Sequence, residues 1–226
     1  MLLPHFSKKL PNGISMRILS QLVLCTVILG GCASGPKAVK SDSPKDQTSR
    51  QAAAEERLKD VPTKALTLFE QAASIMAAGD AIDAELRFKE FVLQYPGYPG
   101  AFVNLAILSA QAGDDKAAEG FITDALMIDP EHPAALNQLG LLLRRQGKFI
   151  EAESAYLKAV TASPDYALAH YNLGVLNELY LQRLDAALQH FERYQEIEGE
   201  DKQVKKWIAD LKRRLDVQER AANASE

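Results

Sequence analysis

The chain has 226 residues, 47% of them apolar and 25% charged, with 26 basic against 30 acidic side chains for a net charge of −4. This balance supplies no basic stripe to neutralise phosphates, so nucleic-acid binding is disfavoured, and the length fits one domain of roughly 100–200 residues plus a tail. Cys25 and Cys32 match no zinc spacing and exclude a disulfide-dense mini-protein.

Residues 1–31 contain Lys8, Lys9 and Arg17, no acid, and the apolar run Leu22 to Leu29. Eight apolar residues cannot span a hydrocarbon core that needs about 20. A basic start, a short apolar core and the small residues Gly30 and Gly31 form a secretion signal. Met16-Arg17 already begins a complete short signal, so translation from Met1 or from Met16 would serve. The string Leu29-Gly30-Gly31-Cys32 resembles the lipobox of bacterial lipoproteins. That resemblance implies that Cys32 is lipidated and becomes the first mature residue, while Cys25 is discarded with the signal. Ala33 in place of Asp then implies export to the outer membrane, with the protein facing the periplasm and touching the membrane through its lipid.

From Cys32 to Lys64 the chain is rich in Ser, Pro, Lys, Asp and Gln and cannot bury enough surface to fold alone, so it is expected to be a disordered tether. Within it, Gln51 to Lys59 has helix-forming residues and would become a short helix if something packed on Leu58.

Beyond the tether the chain repeats itself. Pro96, Pro130 and Pro164 are spaced by 34, and so are Gly79, Gly113 and Gly147, and Ala84, Ala118 and Ala152. The period divides residues 65–201 into units 65–98, 99–132, 133–166 and, more loosely, 167–201. In each unit apolar residues recur at helical spacing on both sides of the glycine. The glycine ends a first helix, the alanine lets two helices approach closely, and the proline stops the second helix. The third unit carries Leu136, Leu139-Gly140, Leu143, Gly147, Phe149, Ala152, Tyr156, Ala159 and Pro164, and it resembles a tetratricopeptide repeat (TPR). The resemblance implies an all-α solenoid of about four helix pairs.

The fourth unit departs from this pattern. It has His170 at its bulky first core position, no turn glycine, one extra residue within Tyr180–Arg183, and Gly199 where proline falls elsewhere. Residues 202–221 place Val204, Trp207, Ile208, Leu211 and Leu215 on one helical face, as a capping helix would, and 222–226 read as a disordered tail.

No enzyme is expected. His5, His132, His170 and His190 lack metal-ligand spacing, and no nucleophile elbow, phosphate loop or dinucleotide fingerprint is present. Neither metal, cofactor nor small-molecule substrate is implied. Charge is uneven: residues 65–201 carry net −12, residues 202–226 net +3 and the tether net +2. The basic side chains Lys202, Lys205, Lys206, Lys212, Arg213 and Arg214 are either a solvated helix face or a contact for an anionic partner.

Positions 4, 7, 8 and 11 of each first helix face the second helix, so at about 100° per residue positions 2, 5, 9, 12 and 13 face a groove. The candidate partner-contacting residues there are Phe69, Val103, Ile107, Asn137, Leu141, Arg144, Arg145, Tyr171 and Val175. Either a partner covers them or the tether folds back on them around Leu58. Some TPR domains bind acidic peptide ends through a clamp of Lys, Asn and Arg, but Phe69 and Ala73 occupy the first-unit clamp positions here. The expected ligand is therefore an apolar or amphipathic segment of an envelope protein, with Arg144 and Arg145 pairing a carboxylate. The chain resembles TPR lipoproteins that assist pilus or secretin assembly. The same repeats would also suit an adaptor of peptidoglycan-processing enzymes or an accessory of a TonB-like energy-transducing complex.

Overall fold

The computed structural model describes residues 62–224. The secretion signal, Cys32, the tether up to residue 61 and residues 225–226 lie outside them. Among the described residues the fold is all-α, with nine α-helices and no strand. The helices are α1 (Thr63–Ala78), α2 (Ala81–Gln94), α3 (Pro99–Gln111), α4 (Asp115–Ile128), α5 (Pro133–Arg145), α6 (Phe149–Ala162), α7 (Ala167–Leu176), α8 (Leu184–Glu198) and α9 (Lys202–Asn223). A π-helical turn, Asn177–Leu181, extends α7.

Consecutive helices pair antiparallel: α1 with α2, α3 with α4, α5 with α6, α7 with α8. The first helices of neighbouring pairs also touch, α3 on α5 and α5 on α7, and form one continuous wall. The turns inside the pairs follow from backbone chemistry. Gly79, Gly113 and Gly147 have φ of 92°, 83° and 76°, a left-handed conformation that a side chain would penalise. Asp80 and Asp114 then cap α2 and α4 by accepting the amides of Asp83 and Ala117 at 3.1 and 2.9 Å. Pro99 and Pro133 open α3 and α5, where a missing amide hydrogen costs nothing.

The close approach within each pair is set by small residues. Ala84, Ala118, Ala152 and Ala187 are all buried to within 1%. Opposite them a larger side chain from the second helix lies over a small residue of the first. Phe88, Tyr156 and Phe191 fill this place in the first, third and fourth pairs with no exposure, Tyr156 over Gly140 and Phe191 over Gly174. A Cβ on Gly140 would lie 2.4 Å from the Tyr156 ring, and one on Gly174 2.6 Å from the Phe191 ring. In the second pair the residue is Ile122, over Ala106.

The irregular fourth pair keeps the same core by a local detour. The π-turn at Asn177–Leu181 takes up the extra residue, and Gln182, at φ 55° and ψ 34°, occupies the left-handed position held elsewhere by glycine. Beyond it, Ala187 and Phe191 return to register. Helix α9 buries Val204, Ile208 and Leu211 against Leu184, Ala187 and Phe191, and Trp207 packs on Tyr171 and Phe191 at ring distances of 6.0 and 5.4 Å. It continues to Asn223, two residues beyond the expected end, so the segment read as a tail from 222 begins as helix. No described helix is long and apolar enough to cross a membrane.

Candidate functional site: the first-helix wall

The wall formed by α1, α3, α5 and α7 differs electrostatically from the rest of the array. These helices carry only Lys64, Glu70, Arg144 and Arg145, net +2, and α3 has no charged residue at all. The second helices α2, α4, α6 and α8 carry 12 acids and 5 bases, net −7. The negative charge of the repeats therefore lies on the second helices and in the turns, and the first helices present an apolar wall with two arginines.

The expected contact residues divide into three groups. Ile107 and Leu141 meet at a cleft of about 360 Å³ between α3, α4 and α5, with Arg145 on its rim. Ala106, Ala110, Gln111, Ala118, Ile122, Gln138 and Leu142 complete its lining. Arg145 is held across the cleft's edge, donating to the Ala110 carbonyl at 3.2 Å and pairing with Asp115. Arg144 is half-buried and lies close enough to act electrostatically on the Tyr156 and Tyr171 hydroxyls.

A second group is half-buried in aromatic or apolar clusters at the ends of the array. Phe69 stands edge-on to Phe88 and Phe91, at 5.6 and 5.7 Å between ring centres. Tyr171 packs against Tyr194 at 5.3 Å and Trp207, and Val175 packs on the same cluster.

The third group offers no side-chain surface. Val103 is 4% exposed, packed against Ala125 and Ala135, and Asn137 is 1% exposed. The Asn137 Oδ1 accepts from Asn172 Nδ2 at 2.8 Å, a buried bond tying α5 to α7. Position 5 of a first helix thus lies between neighbouring first helices wherever the next unit packs closely. Helical angle alone places these two residues in the groove, because it takes no account of the adjoining unit.

The three described histidines make structural contacts. His132 caps α5, its Nδ1 accepting the Ala135 amide at 3.2 Å, and burial holds its pKa below the ordinary value. His170 Nε2 donates to the Pro164 carbonyl at 3.0 Å, which leaves Nδ1 to accept from His190 Nδ1 at 3.2 Å. Burial, reinforced by its neighbour His170, pulls His190 down to about 4. No cluster of three or more potential metal ligands occurs among the described residues. The basic face of α9 is largely matched internally: Lys205 pairs with Glu200, Lys212 with Glu192, Arg213 with Asp210 and Arg214 with Glu178.

Comparison with known proteins agrees with this architecture. Residues 137–201 match the tetratricopeptide repeat family model. The solved structure of PilF from Pseudomonas aeruginosa superposes with a TM-score of 0.60 at 23% identity, covering 70% of this chain and 72% of that one. TTC0263, a TPR protein of Thermus thermophilus, gives 0.57 at 22% identity over 74% of this chain and 93% of its own. MamA of Desulfovibrio magneticus gives 0.54 at 20% identity over 72% and 91%. No curated protein matches in sequence. At these identities the likeness is one of fold: helix pairing and repeat period show TPR-like antiparallel pairs through the described residues, and the family match places tetratricopeptide repeats at residues 137–201.

Proposed function

We propose that the protein is a non-enzymatic scaffold anchored to the outer membrane by a lipid on Cys32, facing the periplasm and assisting assembly of a pilus or secretion complex. The repeat array is a protein–protein interaction scaffold. The lipobox-like Leu29-Gly30-Gly31-Cys32 supports the anchor, and the resemblance to TPR lipoproteins of pilus and secretin assembly supports the process. The observation that carries the binding mode is the meeting of Ile107 and Leu141 at one cleft on the largely apolar first-helix wall, with Arg145 beside them. Such a surface fits an apolar or amphipathic segment of an envelope protein that also carries a carboxylate.

Two experiments test this. Changing Ile107→Asp and Leu141→Asp together should abolish crosslinked recovery of the partner from native membranes while circular dichroism stays helical. Recovery by the folded double variant would refute the groove. For the anchor, Cys32→Ala should lose incorporation of labelled acyl chain and release the protein from the membrane fraction. Label retained on that variant would refute lipidation at Cys32.

A further inference from the structure

The cleft between α3, α4 and α5 has a cause that can be read from the repeat. Its floor is Ile122, and the residues one period away from it are Phe88 and Tyr156, both fully buried. Phe191, one residue further than a period because of the π-turn, is the fourth member of the series. Three of four units therefore place an aromatic ring where the second places an isoleucine. Shifting the cleft's lining by 34 residues gives Gly140, Leu141, Arg144, Ala152, Tyr156 and Asn172, where the Tyr156 ring occupies the corresponding space over Gly140. The smaller side chain of Ile122 thus deepens the cleft where the other units hold a ring, with Ala106, Ala118 and Ile122 on one side and Ile107, Leu141 and Arg145 on the other. At about 360 Å³ it lies at the small end of ligand pockets. It suits one side chain better than a free cofactor.

Charge indicates what should enter. The cleft opens onto the one wall of this acidic array that carries net positive charge, and the two arginines of that wall's centre, Arg144 and Arg145, follow Leu141 by three and four residues on α5. Arg145 shares an exposed ion pair with Asp115, of a kind that contributes little in water, so it can turn to an incoming anion. Arg144 lies close enough to act electrostatically on Tyr156, whose hydroxyl is buried without a hydrogen-bond partner.

We infer that the space left by Ile122 is a slot for one bulky apolar side chain, aromatic or branched, of an extended partner segment whose adjacent carboxylate faces Arg144 and Arg145. This rests on the groove reading above and names the recognition element within it.

The probe is 3-phenylpropionate, which carries a ring and a carboxylate two methylenes apart, with 3-phenylpropionamide as its neutral counterpart. Titrated into the full chain and followed by methyl NMR, the acid should shift the methyls of Ile107, Ile122 and Leu141, and the amide should bind at least threefold more weakly. Ile122→Phe should weaken the response at least threefold by raising a ring from the floor of the slot. The same change combined with Ala106→Gly repeats the Gly140–Tyr156 arrangement and guards against overpacking. No shift of those three methyls in the unaltered chain overturns the slot, and equal affinity for acid and amide overturns the arginine assignment. Partner recovery that survives Ile122→Phe but is lost with Ile107→Asp and Leu141→Asp overturns the slot and leaves the groove standing.

Discussion

Two glycines and two histidines show how tightly single residues are specified here. Gly140 and Gly174 sit under the rings of Tyr156 and Phe191, with room for no Cβ, whereas Gly120 lies within α4 with nothing within 4 Å. Gly140→Ala should therefore destabilise the protein by about 1–3 kcal/mol through overpacking. Gly120→Ala should stabilise it by about 0.5–1 kcal/mol through lower unfolded-state entropy and better helix propensity. Thermal melts of the two variants should shift in opposite directions. The His170–His190 bond requires His170 neutral, because its Nδ1 accepts while its Nε2 donates to Pro164, and burial favours the neutral form of His190 as well. For His190, whose folded pKa is about 4 against 6.5 unfolded, the unfolded chain binds more protons between those values. Stability from this residue is thus complete above pH 6.5 and is lost as pH falls towards 4, by on the order of 1–3 kcal/mol after allowing for partial solvation. The difference in melting temperature between the wild type and His190→Gln, followed from pH 7 to 4, isolates this from carboxylate titration. A pH-independent difference would refute it. Gly140 was legible in the sequence as a repeat signature, but the histidine bond was not, because the ring of His190 reaches α7 only once the fourth pair has closed around its extra residue.

The irregular elements are where periodicity and structure part. A one-residue excess in the fourth unit is visible by counting, which places it within Tyr180–Arg183, yet the structure absorbs it in a π-turn at Asn177–Leu181 that begins three residues earlier. The choice puts Gln182 in the left-handed region, which for a residue with a Cβ costs about 1–2 kcal/mol. Gln182→Gly should raise stability by about 0.5–1 kcal/mol, the relief of strain exceeding the entropy glycine adds to the unfolded chain, and chemical denaturation would measure it. The capping role of α9 was legible in advance, because Val204, Trp207, Ile208 and Leu211 share a face and a free helix would leave them in water. In the structure Leu211 and Val204 are exposed by no more than 1%. Truncation after Asp201 uncovers Leu184, Ala187 and Phe191 as well as removing these side chains. It should lower the melting temperature sharply, given that each large buried side chain removed costs about 2–5 kcal/mol. An unchanged melt would mean that α9 is an appendage.

At the scale of the molecule, a stack in which each unit touches only its neighbours is stabilised by the sum of its interfaces, so its ends differ from its middle. The two ends also differ from each other. At the carboxyl end α9 covers the fourth pair with Val204, Ile208, Leu211 and the half-buried Trp207, and ion pairs Lys212–Glu192 and Arg214–Glu178 span the junction. At the amino end α1 buries only Ala65 and Ala72 completely, and the aromatic cluster of Phe69, Phe88 and Phe91 holds the first pair from one side. Between them, α5 and α7 share the buried Asn137–Asn172 bond and cover Tyr156 with Leu173 and Leu176. Local opening follows buried contact density, so native-state hydrogen exchange should be fastest in α1, intermediate in α9 and slowest in α5 to α8. Loss of α9 by truncation should raise exchange in α7 and α8 while leaving α1 unchanged, because one-dimensional coupling fades across the intervening units. Uniform protection along the array, or acceleration of α1 on removal of α9, would instead show that the four pairs unfold as one cooperative body.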